Sequence, residues 1–97
     1  MTVPIELNRD MGLTRAEFLR TLPTALEGRS WQNDGETVVV LDRDQRLEIA
    51  LTEQPDRTLG SLRLPVLSVR LRFTGFTVPQ VEAFMTRFER SYQRGGG

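Results

Sequence analysis

Ninety-seven residues, 38% hydrophobic and 27% charged, describe one globular domain rather than a disordered or membrane-embedded chain. Cysteine and histidine are both absent, which excludes disulfides, thiolate nucleophiles, histidine acid–base pairs and the usual zinc and haem ligands. The formal net charge is zero but unevenly spread: residues 1–56 carry six arginines against eleven acids, residues 57–97 seven arginines against two.

All cations are Arg and none is Lys. This fits a GC-rich bacterial genome; the sharper reading is an Arg-rich face for bidentate contact with carboxylate or phosphate. The longest apolar run, Val38–Leu41, falls far short of the roughly 20 residues of a membrane span. The start, "MTVPIELNRD", has no basic region before an apolar stretch, so a cytoplasmic protein is expected.

Val3, Ile5 and Leu7 alternate, and Pro4 tolerates only an edge or strand start, so residues 1–8 read as an edge strand or arm. Thr14 and Glu17 form a capping box, with Leu13 and Phe18 as its staple. The helix that follows, through Phe18, Leu19 and Leu22, is interrupted at Pro23. It stops there or restarts for one turn over "PTALEG", with Gly28 as terminator.

"RSWQNDGETVVVLD" reads as a hairpin about Asp34-Gly35, with Val38 and Val40 on one face. Trp31 is assigned to the core rather than to an interface. "DRDQ" at 42–45 is a polar turn, and it lacks the ligand set of a calcium loop. In "RLEIALTE", Leu47, Ile49 and Leu51 alternate against Arg46, Glu48 and Ala50, a strand with one wet face. "EQPD" at 53–56 reads as a turn. From Arg57 to Phe73 the chain stays extended, but its apolar phase switches at Pro65, which places a bulge or tight hairpin there; Gly60 is a second irregularity.

A second capping box, Thr77 and Gln80, opens the last helix, and Pro79 is tolerated in its first turn. Val81, Phe84, Met85, Phe88 and Tyr92 form its apolar stripe. The fold class is therefore α+β, a two-layer sandwich of helix, three or four antiparallel strands and helix, in one domain over residues 1–97, with both helices on one sheet face. Gly95–Gly97 read as a helix stop followed by a disordered tail. The competing reading is a carrier that activates its C-terminal Gly-Gly, but such carriers open with a β-hairpin, and this chain does not.

The order helix, strands, helix resembles double-stranded-RNA-binding domains. Their last helix opens with a lysine-rich motif, whereas "GFTVPQVEAF" holds no cation before Arg87. It also resembles frataxin-like proteins, whose first helix is acidic; "TRAEFLRTL" is not. Neither family is adopted.

The candidate binding residues are Arg46, Glu48, Arg63, Arg70 and Arg72: Arg46, Glu48, Arg70 and Arg72 lie on the sheet face away from the helices, and whether Arg63 joins them depends on the phase switch. As a plain solvated face they would form cross-strand charge pairs. As a functional face they would bind a partner or an anion. The functional expectation is a non-catalytic adaptor that acts by protein–protein contact through this face, a homodimer included. The alternative is anionic-ligand or nucleic-acid binding through Arg63, Arg70 and Arg72, and a pI near 6.3 argues against nucleic acid. No catalytic residue, cofactor or metal is expected.

Overall fold

A computed structural model describes residues 4–95. The elements are β1 (Ile5–Met11), α1 (Arg15–Ala25), β2 (Trp31–Asp34), β3 (Thr37–Asp42), β4 (Gln45–Leu59), β5 (Leu62–Thr74) and α2 (Val78–Gly95). The architecture is α+β, with two helices and one antiparallel sheet of five strands in the order β1-β5-β4-β3-β2. Three or four strands were expected. The additional one is β1, which extends the suggested N-terminal edge strand to Met11 and pairs along β5 from Ile5↔Phe73 to Met11↔Leu67. Val3 lies outside the described residues.

Both helices start where local chemistry places them. Thr14 Oγ1 accepts from the Glu17 N–H while the Thr14 N–H donates to Glu17 Oε1, at 3.1 and 2.9 Å. Thr77 and Gln80 repeat the exchange at 3.3 and 2.8 Å. Each box satisfies two donors that a helix start otherwise leaves unpaired.

Pro23 does not stop α1, which runs on to Ala25. Pro23 is solvent-exposed and lies in the last turn, so its ring costs a single helical bond on the wet side. The end is a Schellman arrangement: Gly28 N–H donates to Pro23 O and Glu27 N–H to Thr24 O, with Glu27 itself at φ +54°.

The core joins the buried side chains of both helices to the odd-numbered apolar side chains of β4 and β5 and to Val38 and Val40 of β3. All five phenylalanines and the only tyrosine lie in it, linked by ring contacts of 4.8 to 6.2 Å from Phe76 through Phe73, Phe84 and Phe88 to Tyr92 and Phe18. Trp31 is half-buried at the margin of this cluster, packed against it but not inside it.

Residues 53–56 do not turn. β4 continues through them to Leu59, and the chain reverses at Gly60-Ser61, where Gly60 takes φ +62° in the first central position. The ladder jumps from Gln54↔Val66 to Arg57↔Leu64, so Pro55 and Asp56 bulge opposite Pro65. The phase switch is thus real, but the extra residue sits on β4.

At about 3.3 Å per residue the fifteen residues of β4 span about 50 Å, which accounts for the longest molecular dimension, 49 Å. β3 pairs with β4 only as far as Ala50, and β1 with β5 only from Leu67. Beyond the Gln54–Val66 pair the hairpin is therefore a two-stranded arm. α2 ends at Gly95 as described; Gly96 and Gly97, and with them the tail and carrier readings, lie outside the described residues.

Candidate functional site

Alternation along each strand sends one set of side chains into the core and the other onto a face that is exposed or half-exposed throughout. Register fixes which residues meet there. One row across the sheet reads Glu6, Arg72, Glu48, Val39; the next reads Asn8, Arg70, Ala50, Thr37. Four of the five expected site residues, Arg46, Glu48, Arg70 and Arg72, come together on this face.

Arg63 does not join them. β5 carries no inserted residue of its own, so Arg63 keeps odd parity and pairs with Thr58 on the alternate side of the arm. The deciding detail is the position of the bulge on β4, which the spacing of leucines alone did not specify.

The cations on the face are matched by carboxylates. Arg70 Nε lies 4.0 Å from Glu6 Oε1, and Arg46 Nη2 lies 3.6 Å from Glu48 Oε2. Ser68 Oγ donates to Asp10 Oδ1 at 2.9 Å. Three arginines (46, 70, 72) thus stand among four acids (Glu6, Asp10, Asp34, Glu48), and Arg57, which shares the side of Leu64 on the arm, makes the face neutral as a whole. The ion pairs are exposed, and each contributes about 0–1 kcal/mol. Arg72 is different. Its cross-strand neighbours Glu6 and Glu48 are the carboxylates taken by Arg70 and Arg46, and among the described residues it makes no ion pair within 4.0 Å.

Sequence reasoning missed two contributors. Glu6 and Asp10 come from β1; their alternation with Ile5 and Leu7 was the available signal. The second is an apolar stripe. Because the bulge flips the parity of β4, Leu59 joins Leu62 and Leu64 on the side of the arm that continues the uncovered face. Their exposures are 56%, 62% and 40%, while every aromatic ring but Trp31 is buried. No other described residues bring three large exposed aliphatic side chains so close in sequence.

A separate apolar depression lies between the end of β1 and the second half of α2, floored by Met11, Leu13, Phe88 and Tyr92 and bordered by the Arg9–Glu89 ion pair at 3.2 Å. No group of three His, Cys, Asp or Glu side chains among the described residues could hold a metal, and no described helix is long and apolar enough to cross a membrane. No family model, curated protein or solved structure matches the chain.

Proposed function

We propose that this chain is a non-catalytic docking domain that binds a protein partner through the uncovered sheet face and the arm that prolongs it. In this reading the fold is a two-layer sandwich, both helices serving as backing for one sheet face and leaving the other free. The observation that carries it is the stripe of Leu59, Leu62 and Leu64, open to water on a projecting ribbon and continuous with that face. Exposed apolar side chains gathered on one surface, rimmed by polar groups, mark contact sites in proteins that otherwise bury their hydrophobic residues.

The anion-binding alternative draws less support. Arg63 points to the other side, Arg70 already faces Glu6, and four carboxylates share the face. A polyanion approaching it would meet as much negative as positive charge.

A photo-activatable amino acid introduced at Ala50 and, separately, at Leu62 tests the docking reading in the native cell. Ala83, exposed on α2, is the control. Protein adducts are expected from positions 50 and 62 and not from 83. No adducts at 50 and 62, or equal adducts from all three, would remove the proposal.

A further inference from the structure

We propose that the occupant of this face is a second copy of the chain, stacked face to face about a two-fold axis running along the β4–β5 hairpin. The inference rests on the docking reading above and names its partner. Under such an axis each residue of β5 stands over the position of its own cross-strand neighbour in the other copy. The β4–β5 register therefore dictates the contacts. Arg72 meets Glu48 of the partner subunit, and Glu48 meets Arg72 of the partner subunit. At the arm, Leu59 meets Leu62 of the partner subunit, and the reverse, while Leu64 meets the aliphatic stem of Arg57 of the partner subunit.

Three observations favour this occupant. The first is charge. A neutral face with both signs interspersed does not repel its own copy, whereas its carboxylates oppose an anionic lipid surface or a nucleic acid. Arg72, without an ion pair among the described residues, gains one, and Glu48 exchanges an exposed contact with Arg46 for one inside an interface. The second is like-with-like apolar contact: the Leu59–Leu62 pair is a cross-strand pair, so a two-fold along the hairpin lays leucine on leucine.

The third is area. Five paired stretches of four to seven residues about 4.8 Å apart, with a two-stranded arm about 20 Å long, present roughly 700 Å² to a partner. Stable specific interfaces bury about 800 Å² per partner. The body alone or the arm alone falls well below that figure, and the combined surface comes within the roughly 600–1,000 Å² per partner that such interfaces span. Sheets packed in this aligned way lie about 10 Å apart, within reach of an extended Arg and Glu facing each other.

Sedimentation equilibrium from about 1 to about 500 µM, a range spanning weak to moderate association, at low and high salt, tests the inference on the full chain. The mass should rise towards that of two chains as concentration increases. Leu62→Asp should weaken association at least about tenfold, and Arg72→Glu by about tenfold. Adding Glu48→Arg to Arg72→Glu should restore most of it, a recovery that loss of fold cannot produce. These side chains are exposed or half-exposed, so thermal melts report whether each variant stays folded. A one-chain mass throughout, or a dimer unmoved by Leu62→Asp and by charge reversal, overturns the inference. So does a one-chain mass accompanied by adducts from Leu62 to a different protein, or by flotation with anionic vesicles. The adduct result leaves the docking reading standing, whereas absence of any adduct removes that reading as well.

Discussion

The Tyr92 phenol, near the end of α2, donates a 2.8 Å hydrogen bond to the Phe18 carbonyl in α1, and the two rings stack 4.9 Å apart. This buried contact ties the C-terminal helix to the N-terminal one. Burial raises the phenol's pKa well above its usual 10.0. The folded state therefore keeps this proton at a pH where the unfolded chain has lost it. Stability falls as pH rises above about 10, by at most about 1.4 kcal/mol per pH unit. Tyr92→Phe should cost about 0.5–1.5 kcal/mol at pH 7. Urea unfolding of both proteins at neutral pH and at pH 11 should show the gap closing; a constant gap contradicts the assignment.

Gly75 sits where only glycine fits. Its φ is +80°, and a Cβ there would stand 2.5 Å from the Asp44 carbonyl oxygen. The close approach seats the β3–β4 turn against the link between β5 and α2. The blocking atom is backbone, so no rotamer change relieves it. Gly75→Ala combines the cost of a left-handed alanine with displacement of that turn and should destabilise by about 2–4 kcal/mol. Gly60→Ala meets nothing within 4 Å and should cost only about 1–2 kcal/mol, the backbone term alone. Equal losses in chemical denaturation would show that the steric term is absent.

Among the described residues, two non-glycine residues occupy the left-handed region, Glu27 at φ +54° and Arg43 at +61°. Their replacement by glycine should differ. Arg43 makes no ion pair among the described residues, so Arg43→Gly relieves strain and should raise stability by about 0.5–1 kcal/mol. Glu27 holds Arg87 at 2.6 Å across the helix pair. Glu27→Gly loses that contact, worth about 0–1 kcal/mol, and should be close to neutral. In an Arg87→Ala background the same substitution should become stabilising, which a double-mutant cycle measures directly.

The paired capping boxes make a matched test. Thr14→Ala and Thr77→Ala should each cost about 1 kcal/mol. Only the first box titrates, because its third residue is Glu17 where the second has Gln80. Hydrogen bonding to the backbone and side chain of Thr14 lowers the Glu17 pKa below its usual 4.5. A lowered folded-state value means stability present above about pH 4.5 and lost as pH falls through the folded value. Glu17→Gln should keep the cap and abolish that acid-side slope, with thermal melts between pH 3 and 5 as the measure.

What could be read from the chain followed how local the determining interactions are. Both helix starts were legible because a capping box spans four residues, and the core stripe of α2 because it repeats within one helix. The arm was not. Pro55 and Asp56 resemble a turn, and in a central strand Pro55 would forfeit a ladder bond. Pro55, however, lies in the bulge between the Gln54–Val66 and Arg57–Leu64 pairs, where it has no ladder partner to lose. β1 was seen as an edge strand, but its partner lies about sixty residues away, and no short-range signal specifies that Glu6 shares a row with Arg72. The side of Arg63 was left open for the same reason: it depends on which strand carries the extra residue.

The arm should also separate from the body in energy. Residues 55–64 are all exposed and belong to no buried cluster, and a lone two-stranded ribbon is at best marginally stable. Replacing residues 55–65 with Asn-Gly would join Gln54 to Val66, whose pairing is regular, by a two-residue turn of the preferred kind. The shortened chain should keep its fold, with stability within about 1 kcal/mol of the parent, a difference typical of changes away from any packed feature. It should lose association and cross-linking together. Amide exchange in the intact chain should show the same division, with 55–64 exchanging far faster than Leu47–Leu51 and Leu67–Phe73. If the deletion unfolds the body, the arm is a structural element rather than a docking one, and the uncovered face must act without it.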